Sequence, residues 1–314
     1  MDVVINEKAR GALNRLAALP GMADVKEQVE QMIQYRRVAA LRKQNRLKAL
    51  PQSNHMVFTG NPGTGKTTAA RLIGEAFAEI GLLTRRGSAV PFVEINQGTI
   101  AEAHVGASEK KVASKFKEAR GGVLFIDEAY AFIGKADHRH DEKVIAAMVQ
   151  QIEDLREEVV VIAAGYPKNM AEFLSFNPGL ASRFPTTIHF PDYSVPDLIR
   201  IAQQMLLDQE YQATPEYLDA LASVMWIEKS QPNFGNARTV RNHIERSIRK
   251  QSIRVSRIPQ PSRKDLATLL PEDLVHSVHD VQSAEKLALQ RTIQEAQHRL
   301  LEIDLKEILK PQRG

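Results

Sequence analysis

The sequence predicts an α/β protein: a parallel sheet covered by helices, then a small helical domain and a C-terminal helix. Three observations carry this. Stretches that are apolar or nearly so, MVFTG, GGVLFIDEA and VVVIAAGY, alternate with segments of helical periodicity. That is the pattern of a parallel sheet buried on both faces. The first stretch runs into a glycine-rich loop, GNPGTGKTT (60–68), that opens a helix. After Pro191 the pattern changes, and residues 195–258 carry only helical periodicity.

In chain order, residues 6–18 and 23–45 read as two helices around a break at Leu19-Pro20-Gly21-Met22, with Asp24 in the cap region of the second. Val25, Val29, Met32, Ile33 and Tyr35 supply much of that helix's apolar face. MVFTG (56–60) is a strand and TTAARLIGEAFAEIGLL a helix. PFVEIN (91–96) reads as a strand and 108–120 as a helix. A strand within GGVLFIDEA, a helix at 142–155, a strand at 159–166 and a short strand TIHF (187–190) complete the first domain, 1–190. The helical domain occupies 191–275, with LATLLPEDL (266–274) at its end, and an amphipathic extension fills 276–314. In that extension Leu289, Ile293, Ala296, Leu300 and Ile303 form one apolar seam. The seam suits packing on the protein's own core or on a partner.

Composition narrows the function. At 314 residues and 43% hydrophobic content the chain has ample material for a packed core. It lacks the roughly 18–20 uninterrupted apolar residues of a membrane span, so no membrane insertion is expected. Asp2, Asn6 and Glu7 interrupt any signal pattern at the start, which points to a cytoplasmic location. The absence of cysteine excludes disulfides and zinc–thiolate sites. Net charge is only +4, but Arg238, Arg241, Arg246, Arg249, Lys250, Arg254 and Arg257 are crowded together. Such a run is a solvated helix face or a nucleic-acid contact.

The glycine loop carries the chemistry. Gly60, Gly65, Lys66 and Thr67 match G-x-x-x-x-G-K-[ST] between a strand and a helix. With Asn61, Pro62, Gly63, Thr64 and Thr68 they form a loop whose backbone N–H groups turn toward nucleotide phosphates. Lys66 supplies positive charge at the β- and γ-phosphates, and Thr67 a hydroxyl for Mg2+. The helix start adds its dipole. VLFIDEA delivers Asp127 to the carboxyl end of a second strand, where it holds the metal, usually through water. Glu128 beside it is placed to orient or deprotonate an attacking water. Two carboxylates ending an apolar run would be costly in a core without a cation. ATP hydrolysis with Mg2+ is the expected chemistry. Arg183, in NPGLASRF, can stabilise transition-state charge on a neighbouring subunit's γ-phosphate. Arg238, in NFGNAR, can contact the same phosphate from the second domain.

These residues together resemble the AAA+ superfamily, and within it the CbbX/SpoVK clade of rubisco-activase-type remodellers and sporulation or secretion ATPases. The resemblance runs over about residues 15–275. It is carried by LPGMADVKEQV, GNPGTGKTT, GGVLFIDEAY, IAAMVQQIED, VIAAGYPKNMAEF, NPGLASRFPTTIHFPDYS and NFGNARTVRN, in that order. It implies an AAA+ P-loop NTPase fold with a helical lid, and a homo-oligomeric ring, a hexamer, with nucleotide between subunits. It implies that Gly21 and Met22 border the adenine, that Arg183 is the trans-acting arginine finger and that Arg238 is the arginine of the second sensor. It also implies a pore loop at 100–110 that grips a polypeptide through His104, Val105 and Gly106.

The chain departs from the superfamily at three places. His104 stands where an aromatic, usually tyrosine, is expected. The sensor strand ends in AAGYP, so Tyr166 stands where many members carry asparagine or threonine. Thr186 occupies the place of a second finger arginine. The leading expectation is an ATP-driven motor that remodels an unidentified protein client. The alternatives are a nucleic-acid-linked loader or switch, disfavoured because DNA-reading modules are missing, and a ring whose ATP controls assembly alone.

Overall fold

The computed structural model describes residues 9–48, 53–84, 89–100, 107–134, 138–232 and 234–274, with backbone alone at 9, 10, 43 and 138–140. The expected pore loop, His104 to Gly106, and the extension 276–314 lie outside the described residues. The chain divides into two compact units, Met1–Asp192 and Tyr193–Gly314.

In the first unit, helices α1 (Ala9–Ala18) and α2 (Ala23–Gln44) flank a turn in which Gly21 and Met22 both take positive φ, 62° and 58°. Val25, Val29 and Ile33 of α2 are buried as their spacing predicts. Tyr35 is not: it is 43% exposed, and Arg36 is buried beside it. The helix turns 100° per residue, which carries position 35 past the apolar stripe. Asp24 sits in the first turn of α2, where it complements the helix dipole.

Strand β1 (Met56–Gly60) leads into α3 (Lys66–Glu79). Then follow β2 (Phe92–Ile95), α4 (Gln97–Ile100), α5 (Ala107–Glu118) and β3 (Val123–Ile126). A 3-10 turn at Ala129–Phe132 precedes α6 (His138–Asp154), β4 (Val160–Gly165), α7 (Pro167–Phe176), α8 (Pro178–Arg183) and β5 (Thr186–Phe190). The five strands form one parallel sheet in the order β2-β3-β4-β1-β5.

Burial on both faces explains why β3 and β4 are apolar throughout and β1 nearly so. Val57, Leu124, Ile126, Val161 and Ala163 pack with Val112, Phe116, Ile145, Met148, Ile152 and Phe173 of α5, α6 and α7. Their neighbours point to the opposite face. There α3 approaches so closely that a Cβ at Gly74 would lie 2.6 Å from Val123 Cγ2. Both faces are therefore covered, and functional side chains are confined to the ends of the strands.

The second unit begins with α9 (Val195–Leu207), capped by the Ser194 hydroxyl. It continues through β6 (Gln212–Ala213), α10 (Pro215–Lys229), α11 (Ala237–Val255), α12 (Arg263–Ala267) and β7 (Thr268–Leu269). The expectation of helical structure alone needs correction: β6 and β7 pair in parallel. Two residues per strand are too few to show a period of two. Leu198, Leu206, Tyr217, Leu221, Val240 and Ile244 form the interior, with the Tyr217 hydroxyl donating to Ser247 Oγ at 2.8 Å. Of the basic run, Arg241, Arg246, Arg249 and Lys250 are exposed on α11 and Arg257 is exposed just past its end, while Arg254 makes two bonds to Asp273 at 2.9 and 2.8 Å.

Candidate active site

The loop after β1 is shaped by its glycines. A Cβ at Gly60 would lie 2.3 Å from the Phe190 carbonyl oxygen, so no side chain fits against the end of β5. Gly63 and Gly65 take φ of 69° and 91°, a region that favours glycine. Thr64 is fully buried and its hydroxyl donates to the Asn61 carbonyl at 2.8 Å, closing the loop on itself. Pro62 and Thr67 are half-buried and Thr68 is exposed. Asn61 donates to both carboxylate oxygens of Asp192 at 2.9 and 3.0 Å, which ties the loop to the last residue of the unit. Lys66 opens α3, and its ammonium donates to the carbonyls of Gly60 and Asn61 at 2.8 and 2.7 Å. The lysine thus lies folded over the loop, at the place where a phosphate oxygen would replace a carbonyl as its acceptor. Met22, expected near the adenine, is buried beside Gly21 in the α1–α2 turn.

Asp127 follows β3, and its N–H donates to the Ile95 carbonyl at 2.8 Å. Glu128 takes the left-handed conformation (φ 49°, ψ 45°), and its N–H donates to Asp127 Oδ1 at 3.1 Å. Asp127 is half-buried and Glu128 is exposed. This corrects the expectation of a costly buried pair: both carboxylates leave the core at the end of the strand. Thr67 and Asp127 are the oxygen donors suited to Mg2+, which characteristically takes one or two protein oxygens beside substrate phosphates. Among the described residues no three His, Asp or Glu side chains gather as a metal site made of protein alone.

Tyr130 and Tyr166 join this end of the sheet, with ring centroids 6.0 Å apart. Gly165, which ends β4, is opposite Thr59 of β1, so Tyr166 emerges between the glycine loop and the Asp127–Glu128 pair. Tyr130 and Gly165 lie outside the local motifs, GNPGTGKTT and VLFIDEA, that mark the site in the sequence.

Arg183 lies elsewhere. It ends α8 before β5, whose first residue is level with Met56 and whose last is level with Gly60. Four residue steps at about 3.3 Å each put roughly 13 Å of strand between the two levels. The Ser53 hydroxyl donates to the Arg183 carbonyl at 2.6 Å, which fixes the arginine at the amino end of β1. Its guanidinium pairs with Glu153 at 3.4 Å and donates to the Gly179 carbonyl at 3.1 Å, while Nε is buried without a hydrogen-bonding partner. Arg183 and Lys66 thus stand at opposite ends of one sheet.

In the second unit, Arg238 is exposed in the first turn of α11, and its N–H donates to the Gly235 carbonyl at 2.9 Å. The preceding Asn236, with φ 50°, is fully buried and accepts from the Tyr193 N–H at 2.9 Å. This anchors the start of the arginine-bearing helix to the first residue of the unit.

Comparison with known proteins agrees with this arrangement. Residues 56–192 match the family described as "ATPase family associated with various cellular activities (AAA)", and residues 194–285 match its lid domain. The chain is 38% identical over 276 residues to stage V sporulation protein K of Bacillus subtilis, covering 86% of this chain and 84% of that protein. It is 37% identical over 261 residues to protein CbbX of Cereibacter sphaeroides, covering 82% of each. A CfxQ homolog of Galdieria sulphuraria is 36% identical over 281 residues, covering 86% of this chain and 88% of that protein. Among solved structures, the FIGL-1 AAA domain superposes with a TM-score of 0.57 over 87% of this chain and 88% of that one, at 14% identity, a likeness of fold. The strand order, the glycine loop followed by an Asp–Glu pair, and these matches make the chain a member of the AAA ATPase family, in the group that contains SpoVK, CbbX and CfxQ, and an enzyme that hydrolyses ATP.

Proposed function

We propose that the protein is an ATP-driven remodeller of a protein client, and that its hydrolytic site is completed by a second copy of the chain. One observation carries the second half. Arg183 stands at the amino edge of the sheet whose carboxyl edge bears Lys66 and Glu128. An arginine so placed cannot serve its own γ-phosphate, whereas head-to-tail packing brings one copy's amino edge to the next copy's carboxyl edge. Repeated with a rotation that closes, that contact makes a ring, and six copies is the number we propose.

In this reading Gly60 to Thr68 cradle the phosphates of ATP, Lys66 neutralises the β- and γ-oxygens, and Thr67 and Asp127 hold Mg2+. The metal supplies charge stabilisation on the transferring phosphoryl group. Glu128 takes a proton from the attacking water. The neighbour's Arg183 meets the charge that develops on the γ-phosphate, and Arg238 reads that phosphate from the second unit. Gly21 and Met22 border the adenine. His104, Val105 and Gly106 then grip the client at the ring axis, in the cytoplasm.

Glu128→Gln keeps the loop and removes the proton acceptor, so it traps the ATP-bound assembly. Sedimentation of this variant with ATP and Mg2+ is expected to give the mass of six chains, and ADP a smaller species. A monomer at every nucleotide condition contradicts the ring. Client remodelling and ATPase activity, compared for His104→Ala and His104→Tyr, test the grip. Alanine is expected to lose remodelling more than hydrolysis, and wild-type remodelling by alanine favours a ring whose ATP controls assembly alone.

A further inference from the structure

We propose that Ser53 is a positioning residue for hydrolysis on the neighbouring chain: its hydroxyl fixes the root of Arg183, the arginine that enters the next copy's site. The inference rests on the reading that Arg183 acts in trans.

Arg183 needs a fixed root. It is the last residue of α8, a helix of six residues. A carbonyl at a helix end has no partner within the helix, and helix ends fray. A long side chain carries any shift of its Cα to its tip, and a misplacement of about 1 Å can cost about a hundredfold in rate. Ser53 supplies the missing partner. It lies 130 positions earlier in the chain, just ahead of β1, and its Oγ donates to the Arg183 carbonyl at 2.6 Å.

Ser53 can serve because it is held in turn. The His55 N–H donates to Ser53 Oγ at 3.1 Å, which occupies a lone pair and leaves the hydroxyl proton for the Arg183 carbonyl. The Ser53 carbonyl accepts from Arg36 Nη2 of α2 at 2.5 Å. His55 is buried, and its Nδ1 accepts from the Val161 N–H of β4 at 3.0 Å. The hydroxyl is thus tied to the centre of the sheet through His55 and to α2 through Arg36.

The head of the arginine is held differently. Its guanidinium meets Glu153 at 3.4 Å and the Gly179 carbonyl at 3.1 Å, and it is partly exposed. A Cβ at Gly179 would lie 3.3 Å from Arg183 Nη1, so glycine there leaves the head room. Ser53 therefore sets where the side chain starts, while the head can exchange Glu153 for a phosphate oxygen.

The test uses the division of labour between chains. In a mixture of Arg183→Ala and Glu128→Gln chains, the whole sites hold ATP on the first chain and take their arginine from the second. Ser53→Ala is added to one chain at a time. On the Glu128→Gln chain, which donates the arginine, it is expected to lower the recovered kcat about fivefold, the scale of one neutral hydrogen bond. On the Arg183→Ala chain it is expected to leave that kcat within about twofold, and on either chain to leave the ATP dissociation constant within about twofold, since the phosphate loop lies at the other edge of the sheet. Ser53→Thr keeps the hydroxyl and is expected to retain the recovered kcat on the donating chain. No loss with Ser53→Ala on the donating chain overturns the proposal. So does an equal loss on both chains, the mark of a structural defect, or a loss in Ser53→Thr as large as in Ser53→Ala. If Ser53→Ala does not fold, Ser53→Cys, whose thiol is a weak donor, is read in the same way. The parent mixture separates the two levels. If it recovers no activity while mixed assemblies form, the trans reading falls and the role of Ser53 with it. If it recovers activity and Ser53→Ala is harmless on the donating chain, only the role of Ser53 falls.

Discussion

The carboxyl edge of the sheet gathers Lys66, Asp127, Glu128, Tyr130 and Tyr166 around glycines that leave the backbone open. The amino edge gathers Ser53, His55, Glu153, Arg183 and Phe184, all occupied with one another. At the carboxyl edge the charged groups reach half-buried or exposed positions, and Lys66 is held by backbone carbonyls that a phosphate can replace. At the amino edge His55 is 1% exposed, its Nδ1 accepts from the Val161 N–H at 3.0 Å, and its ring packs 6.1 Å from that of Phe184. One edge is built to receive a ligand and the other to hold an arginine in store. On the proposed trans site, a single chain would carry both halves of a hydrolytic site, roughly 13 Å of strand apart, and they would meet when two chains do.

The comparison can be broken at either edge, and the largest effect belongs to the carboxyl edge. Lys66→Ala removes the loop's one side-chain positive charge. ATP binding, followed by fluorescence of a labelled nucleotide, is expected to fall by at least about a hundredfold, the scale of a charged group lost from a desolvated phosphate site. Full affinity in this variant removes the phosphate assignment.

The next effect belongs to the amino edge and depends on pH. Burial holds the His55 pKa down at about 4. The nearby Ile152 carbonyl partly offsets this without closing a hydrogen bond, and the charges of Arg183 and Arg36 push the same way as burial. In the unfolded chain the ring titrates near 6.5. The native state therefore binds fewer protons between these values. The stability that neutral His55 contributes is complete above about pH 6.5 and is lost as pH falls through about 4, amounting to about 3 kcal/mol. Urea midpoints of wild type and His55→Asn, whose carbonyl still serves the Val161 N–H, should converge as pH falls from 7.5 to 4.5. Parallel curves show that His55 does not titrate as its burial implies.

The smallest effect sharpens the idea of storage. Glu153 and Arg183 are both partly exposed, so their ion pair is worth at most about 1 kcal/mol. Glu153→Gln is expected to free the arginine for a neighbour and to lower the protein concentration of half-maximal ATPase activity about two- to fivefold. A shift to higher concentration means that Glu153 aims Arg183 rather than restrains it.

Much of the sheet could be read from sequence because its central strands are buried on both faces and hence apolar at nearly every position. MVFTG and VVIAAG admit no other reading beside a glycine loop. The edge strand Phe92–Ile95 showed itself despite Glu94, which faces solvent. Short elements were harder. Gln97–Ile100, Ala129–Phe132 and the β6–β7 pair span too few residues to show a period, and α7 and α8, each opened by a proline, lay inside motifs read for their chemistry. The loop and the Asp–Glu pair were visible because phosphate chemistry needs them in fixed local order. The packing of Tyr130 on Gly165, the bond from Asn61 to Asp192 and the pairing of Arg183 with Glu153 join residues 30 to 131 positions apart and leave no local trace.

The central claim is that two chains share one site, and mixing two inactive variants tests it directly. Arg183→Ala is expected to bind ATP normally and to lose about a thousandfold in hydrolysis, the scale of an arginine finger. Glu128→Gln is inactive for want of a proton acceptor. At an interface where a chain with intact Glu128 meets a neighbour with intact Arg183, the site is whole again. Steady-state ATPase activity across a range of mixing ratios should therefore rise well above that of either variant and peak at intermediate composition. Activity that stays at the sum of the two at every ratio, with mixed assemblies shown to form, contradicts a site completed in trans.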